Sequence, residues 1–506
     1  MLLNNKAFSS RALLLFLAVS SALFSACSSS DTASDSAPAS PNVLLIFTDQ
    51  QHIDMMSATG NPYLHTPNMD RLARRGVMFR NAYCTSPVCG PARSSIVTGR
   101  MPHETGVEWN GDSIRAEIQN VGELFRQAGY RTTWGGKWHL PESYPQRTKA
   151  RHKFIRGFDL LPFKNPDDEP WMLGAETDPP LTRAVVDYLG EQDADQPFFL
   201  AVSYHNPHDI CFYARKDGWV SKEDSLLEIR HYGFEYRLPD VVGTHPEAFA
   251  ELPPLPPNHA IEEGEPEFIT TKRHQHDEYG LETKLANQEF GPLEWRGYLN
   301  AYLRLTEMVD AEIGQVLDAL EANGLDDNTI IVFTSDHGDG AAAHKWSAKL
   351  SLYREASMVP MLVSLPGTIP AQKVDERHLV SQIDIAPTLC DYAGIPVEVP
   401  FTGKSLRPIL ERSEADWRDY IIVELADYKP DPDRKGRMVR TDRFKYTTFT
   451  TGARNEQFFD LEKDPGETQS LIGDPAYEKE IEQHREMLRQ WMEQTDDHYP
   501  LAATAE

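Results

Sequence analysis

Four short apolar runs, each released at once into polar residues, constrain this chain more than any other feature of its sequence. Residues 42–47 lead into Thr48, Asp49 and Gln50, and residues 130–134 into Gly135, Gly136, Lys137, Trp138 and His139. Residues 197–202 lead into His205 and His208, and residues 329–333 into Ser335, Asp336 and His337. Continuous apolar runs of this kind, separated by helical stretches, read as parallel strands covered on both faces. Helical spacing is present over 68–75, 120–128 and 302–323, the last closed by a glycine cap at Gly324. The pattern predicts an α/β fold with a large central, mostly parallel sheet flanked by helices. Ligands of such sheets lie beyond the carboxyl ends of the strands. Four strands releasing polar residues at that edge therefore predict one converged site.

The rest of the chain divides around this core. Residues 41–408 form the main domain, interrupted by a Pro-, Glu- and His-rich stretch over 212–290 that reads as a surface insertion. Beyond 408 the pattern changes to short strands, a turn at Asp464-Pro465-Gly466 and a terminal helix over 476–492, which predicts a smaller C-terminal α+β subdomain over 409–506. At the other end, Lys6 and Arg11 precede an apolar run over 12–26 that is too short to span a bilayer. Residues 1–26 read as an export signal, and Ala26-Cys27 resembles a bacterial lipobox followed by a flexible tether over 27–40. The expected product is exported and lipid-anchored through Cys27 at the bacterial cell envelope, periplasmic or at the surface. Plain signal cleavage near Ala26 is the alternative.

A net charge of -27 argues against nucleic acid as a partner, since phosphate binding needs a basic surface. It also means that any anionic ligand must meet positive charge concentrated in one pocket. Four cysteines remain besides Cys27, too few for a disulfide framework to hold an exported chain of 506 residues. Cys89 stands apart from the other three. It opens Cys89-Gly90-Pro91-Ala92-Arg93, and Pro91 suits the first turn of a helix, so Cys89 falls at a helix N-terminus. Amide groups and the helix dipole there favour an anion or an activated nucleophile, and Arg93 adds a fork for oxygens. On these grounds Cys89 is either a thiolate nucleophile or a buried, inert thiol.

Cys-x-Pro-x-Arg followed by Thr98-Gly99 resembles the maturation signature of the type I sulfatases. Residues 41–49, Gly136-Lys137-Trp138-His139, Ser335-Asp336-His337-Gly338-Asp339, 349–355, 439–446 and 459–466 resemble the same family, in the same order, over nearly the whole chain. The resemblance implies an alkaline phosphatase-like superfold and oxidation of Cys89 to Cα-formylglycine by a formylglycine-generating or sulfatase-maturing enzyme. It implies that Asp49, Gln50, Asp336 and His337, with an oxygen from the converted Cys89, bind a divalent cation, Ca²⁺ or Mg²⁺. Two carboxylates, an amide oxygen and an imidazole after two strands suit such a hard ion. Gln50 departs from the family, where many members carry a second Asp. By the same resemblance, Arg93 and Lys137 hold the formylglycine hydrate and His139 acts as base. His208 and Lys349 bind sulfate and assist the leaving group, and His205 is assigned either to substrate or to structure.

The activity so implied is hydrolysis of sulfate esters, with a sulfated polysaccharide or oligosaccharide as substrate. The alternatives are a phosphonate or phosphate ester hydrolase of the same superfold and an inactive surface lipoprotein that binds sulfated glycans. His103, Trp109 and His344 lie near the signature helix or before Lys349 and are candidates for a sugar subsite, Trp109 by stacking.

Overall fold

The computed structural model describes residues 40–140, 155–162, 174–192, 196–213, 228–231, 234–237, 252–274, 287, 290–396, 401–412, 416–427 and 433–501. The export signal, Cys27 and nearly all of the tether lie outside them. The central sheet contains, in chain order, β1 (Asn42–Asp49), β2 (Val77–Phe79), β3 (Arg131–Gly136), β4 (Asp159–Leu160), β5 (Phe198–Pro207), β6 (Thr329–Ser335), β7 (Met361–Ser364) and β8 (Lys373–Asp375). They lie in the order β8-β2-β7-β6-β1-β5-β3-β4. The inner strands β6, β1, β5 and β3 run parallel, and β7 runs antiparallel to both of its neighbours. The four apolar runs are these four inner strands. Helices cover both faces, which is why the strands are apolar throughout rather than alternating.

Successive residues of β1 point to opposite layers. Val43, Leu45 and Phe47 face a core built with α2 (Cys89–Thr98), α3 (Val121–Gln127) and α7 (Ile385–Ala393), and Leu44 and Ile46 face one built with α1 (Pro67–Arg75), α4 (Gly174–Gly190) and α6 (Pro292–Ala322). Each such side chain, fully buried, contributes about 1.5–3 kcal/mol. The α6 helix begins ten residues before its expected start at Tyr302, because Pro292 sits in the first turn, where no amide proton is needed. Its end follows expectation. Gly324 has φ +65°, and the amides of Gly324 and Leu325 close back on the carbonyls of Glu321 and Leu320.

The C-terminal part is an antiparallel sheet of β9 (Tyr420–Ala426), β10 (Lys435–Thr441), β11 (Phe444–Phe449) and β12 (Glu456–Asp460), paired in sequence order, with α8 (Glu478–Thr495) against it. The described part of the expected insertion departs from a surface loop. Leu252, Phe268 and Ile269 are buried, and so is Arg273 on α5 (Glu267–His274), paired with Glu265. Composition pointed to the surface, but here burial rests on a few apolar anchors and one satisfied ion pair, which leave no periodic trace. Among the described residues no helix is long and apolar enough to cross a membrane.

Candidate active site

Two of the four inner strands and one helix meet at one buried cluster. Asp49 closes β1, Asp336 and His337 follow β6, and Cys89 is the first residue of α2. One ligand atom from each of these four residues lies within 4.8 Å of the others, and all four are buried. The sulfur of Cys89 is 3.2 Å from His337 Nε2, 3.8 Å from Asp49 Oδ1 and 2.8 Å from Lys349 Nζ. Lys137, just beyond β3, places its Nζ 2.5 Å from Asp49 Oδ2.

Arg93 ties the acids together. Its Nη2 donates to Asp49 at 2.9 Å, its Nε to Asp336 at 2.8 Å, and its Nη1 to the Lys137 carbonyl and to Ser203 Oγ. Four of its five N–H groups are thus engaged inside the protein. The fork expected for a ligand's oxygens instead holds two carboxylates in register.

The helix N-terminus is also less open than its sequence suggested. Pro91 has no amide proton, Ala92 N–H already bonds the Val88 carbonyl, and Gly90 N–H donates to Asn110 Oδ1 at 2.7 Å. Val88 cannot cap the helix with its side chain, so Asn110 does so from another loop. The amide left to serve an anion is that of Cys89 itself.

Burial and the Asp49 charge push the Cys89 thiol up, but Lys349, Lys137 and His337 outweigh them and bring it well below its ordinary value. Burial likewise raises the Asp49 carboxyl, and Lys137, His208 and Arg93 together hold it well below the usual range. Asp336 goes the other way, raised by burial and by the neighbouring Asp49 charge. Burial and Lys137 lower both His139 and His208. His205, lowered to about 3 by burial and then Lys137, is half-buried beside Thr177, with its Nδ1 3.3 Å from Thr177 Oγ1 and its amide on Asp178.

The donor set fits a divalent cation. Two buried carboxylates, Asp49 and Asp336, crowd together with the Cys89 sulfur and the His337 ring, one ligand atom of each within 4.8 Å of the others. His337 Nδ1 donates to the Gly338 carbonyl at 2.8 Å, which leaves Nε2 as the ring's acceptor on the cluster side. Gln50 Nε2 donates to Asp339 Oδ2 at 2.8 Å. A carboxylate only accepts, so this bond fixes the amide orientation and turns Oε1 to the Cys211 thiol, which donates to it at 3.3 Å. Gln50 belongs to the site also through its backbone, whose N–H donates to Asp336 Oδ1 at 3.0 Å.

The expected sugar-subsite residues His103, Trp109 and His344 are each engaged by protein partners in this structure. His103 is bonded to Glu424 at 2.5 Å and to the Thr495 carbonyl. Trp109 packs among Ile53, Tyr83, Val88 and Phe268, with Lys272 over its ring. His344 lies fully buried and stacked on Tyr353 at 3.8 Å. Each closes a contact between segments far apart in the chain, and His103 also lines a cavity of about 830 Å³ together with Arg100, Glu108 and Lys435. Conversely, sequence reasoning missed Ser203, Asp339, Tyr298 and Gln382. Gln382 Nε2 clamps the carbonyls of Ser335 and Asp336, and Tyr298 donates to Asp339. Only Asp339 carried a signal, its place in the Ser335–Asp339 motif.

A buried cysteine at a helix N-terminus, two bridged acids and a ring of lysine and histidine at one sheet edge suit the binding of an anionic ester. The chain belongs to the sulfatase family: the family model "Sulfatase" matches residues 41–395, and "N-sulphoglucosamine sulphohydrolase, C-terminal" matches 342–494. It is a sulfuric ester hydrolase. A Delta 4,5-hexuronate-2-O-sulfatase of Bacteroides thetaiotaomicron is 30% identical over 475 residues, covering 91% of this chain and 90% of that one. A solved 2-O GAG sulfatase superposes with a TM-score of 0.75 at 30% identity, covering 92% of this chain and 95% of the other. The phosphonate monoester hydrolase of Agrobacterium radiobacter shares the fold, with a TM-score of 0.71 at 24% identity over 90% of this chain and 96% of its own.

Proposed function

We propose that this chain removes sulfate from sulfated carbohydrate, with glycosaminoglycan-type oligosaccharides bearing 2-O-sulfated uronic acid as the first substrates to test. The observation that carries the chemistry is Cys89 at the start of α2, its sulfur within reach of Asp49, His337 and Lys349. The substrate class is supported by two relatives at 30% identity, named for hexuronate-2-O-sulfate and for a 2-O GAG sulfatase.

In this reading Cys89 is the precursor of Cα-formylglycine, made by a formylglycine-generating or sulfatase-maturing enzyme. A hydrated aldehyde there supplies two hydroxyls on one carbon, one to attack sulfur and one whose deprotonation lets sulfate leave. Asp49, Gln50, Asp336 and His337 would hold a divalent cation, Ca²⁺ or Mg²⁺, whose chemistry would be to supply positive charge beside the attacking group and the sulfate. Lys349 and Lys137 face the same point and neutralise charge developing on the sulfate oxygens. Arg93 acts one step back, holding Asp49 and Asp336 in place. His139, close enough to Lys137 and Cys89 to feel their charges, takes the second hydroxyl's proton. Lys349 or His208 gives a proton to the departing alcohol.

The test is sulfate release from defined sulfated oligosaccharides by enzyme expressed with a maturing enzyme, beside aryl sulfate and aryl phosphate diester. Release from a sulfated sugar, with the Cys89 peptide carrying the mass of formylglycine, supports the reading. A clear preference for the phosphate diester, or an unmodified thiol in an enzyme that still turns over, refutes it. Export and lipid anchoring at Cys27 belong to the same proposal, supported by Lys6, Arg11 and the apolar run that ends there. Labelled palmitate that fails to enter the wild type, or enters Cys27→Ala equally, excludes the anchor.

A further inference from the structure

Lys349 lies in a loop of unusual backbone. Between residues 341 and 350, six non-glycine residues have positive φ: Ala341 (46°), Ala342 (63°), His344 (51°), Lys345 (50°), Ala348 (60°) and Leu350 (73°). L-residues visit this region singly and at a cost, so a loop rich in them persists only where its surroundings impose it. The surroundings come from the stretch between residues 252 and 298. The Asn258 carbonyl accepts His344 N–H at 2.7 Å, and His259 Nδ1–H donates to the Ala342 carbonyl at 2.6 Å. Asn287 Oδ1 accepts from Ser347, and Tyr298 Oη accepts Ala348 N–H at 3.1 Å.

Arg273 is the centre of this brace. Its Nη1 donates to the carbonyls of His344 at 2.6 Å and Lys345 at 3.3 Å, and Nη2 pairs with Glu265. The guanidinium carbon stands 4.9 Å from the centroid of the Trp346 ring. Trp346 Nε1–H in turn donates to the Lys349 carbonyl at 2.9 Å, and Lys349 Nζ reaches Cys89 Sγ at 2.8 Å. An unbroken line of contacts therefore runs from α5 to the nucleophile.

We propose that Arg273 is a positioning residue for Lys349, and that residues 252–274 brace the catalytic loop. Trp346 is the link, its face covered by Arg273 and its indole N–H fixing the backbone of Lys349. This rests on the reading of Lys349 as a group that meets the sulfate ester. A planar cation bonding two carbonyls and lying on an indole ring is a role that lysine's point charge does not reproduce.

The experiment uses the matured full-length enzyme and Arg273→Ala, assayed on the best sulfate ester with and without added guanidinium chloride. Arg273→Ala is expected to lose roughly 100-fold in kcat with little change in KM, and guanidinium at tens of millimolar to restore about tenfold of it, while urea restores none. A kcat within about threefold of wild type, or a loss that guanidinium does not repair, overturns the proposal. Trp346→Phe provides a second arm that keeps the ring but removes the bond to Lys349. It should lower kcat in a way that guanidinium does not rescue, and wild-type kcat in this variant also overturns the proposal. If the wild type itself releases no sulfate, the functional reading fails separately. The brace is then read from the rate at which an amine-reactive ester labels Lys349, followed on its peptide by mass. Faster labelling in Arg273→Ala, slowed by guanidinium, supports it, and equal rates overturn it.

Discussion

At the residue scale the site is organised by Arg93 as much as by Cys89. Its guanidinium is 1% exposed between two acids that are fully buried, so its loss would leave two carboxylates facing each other without their cation. Arg93→Met is expected to cost roughly 3–5 kcal/mol of stability in EDTA, the magnitude for breaking a buried ion pair from one side. Added Ca²⁺ should shrink that cost, because an ion between Asp49 and Asp336 replaces the missing charge. Urea unfolding of both proteins with and without Ca²⁺ measures it, and a cost independent of Ca²⁺ would count against the cation site. His103 supports a prediction of another kind. Burial works against its charge, but Glu424 and Asp497 outweigh burial and Arg437, raising its pKa to about 9. A raised histidine stabilises the fold fully below its unfolded pKa of about 6.5 and loses that contribution as pH rises through about 9. The stability difference between wild type and His103→Gln should therefore be large at pH 6 and small at pH 10. A difference that stays constant across that range would remove His103 from the account.

At the scale of elements, what the sequence made legible was whatever a strand and its next few residues carry together. β1, β3, β5 and β6 were readable because each is buried on both faces, and their polar ends because the sheet delivers them to one edge. Asn110 shows why the remainder was not. It caps α2 across 20 residues of sequence, and nothing in its own neighbourhood announces the Gly90 amide as its partner. Gln382 and Arg273 act over longer separations, and the stretch around Arg273 looked like surface because its burial rests on a few apolar anchors and one ion pair. The Asn110 cap can be tested directly. Asn110→Ala removes the acceptor and should cost about 1 kcal/mol, while Asn110→Asp keeps it and adds a charge favourable at a helix N-terminus. Because the freed Gly90 amide adjoins Cys89, kcat should fall in Asn110→Ala while KM changes less. Thermal unfolding and steady-state kinetics of both variants decide this, and equal loss of stability in the two would sink the capping role.

At the scale of the whole molecule, two facts about charge pull against each other. The chain carries a net charge of -27, yet its site gathers Arg93, Lys137 and Lys349 around one point. Attraction inside the pocket acts over a few ångströms between partly desolvated groups and is weakly screened, whereas repulsion by the acidic surface acts at long range through solvent. Salt separates the two, since the screening length falls to about 10 Å at 0.1 M ionic strength. The effect must depend on how much charge the substrate brings to the surface outside the pocket. For a polymer or long oligosaccharide with many sulfates, kcat/KM should rise as NaCl goes from low millimolar to about 0.15 M, because the approach is no longer opposed. For a small monosulfated aryl ester, which meets only the pocket, the same salt should leave kcat/KM flat or lower it slightly. The comparison is made on one enzyme preparation at fixed pH and fixed Ca²⁺, so that neither protonation nor cation loading changes with salt. Parallel salt curves for the two substrates would show that the acidic surface plays no part in substrate encounter.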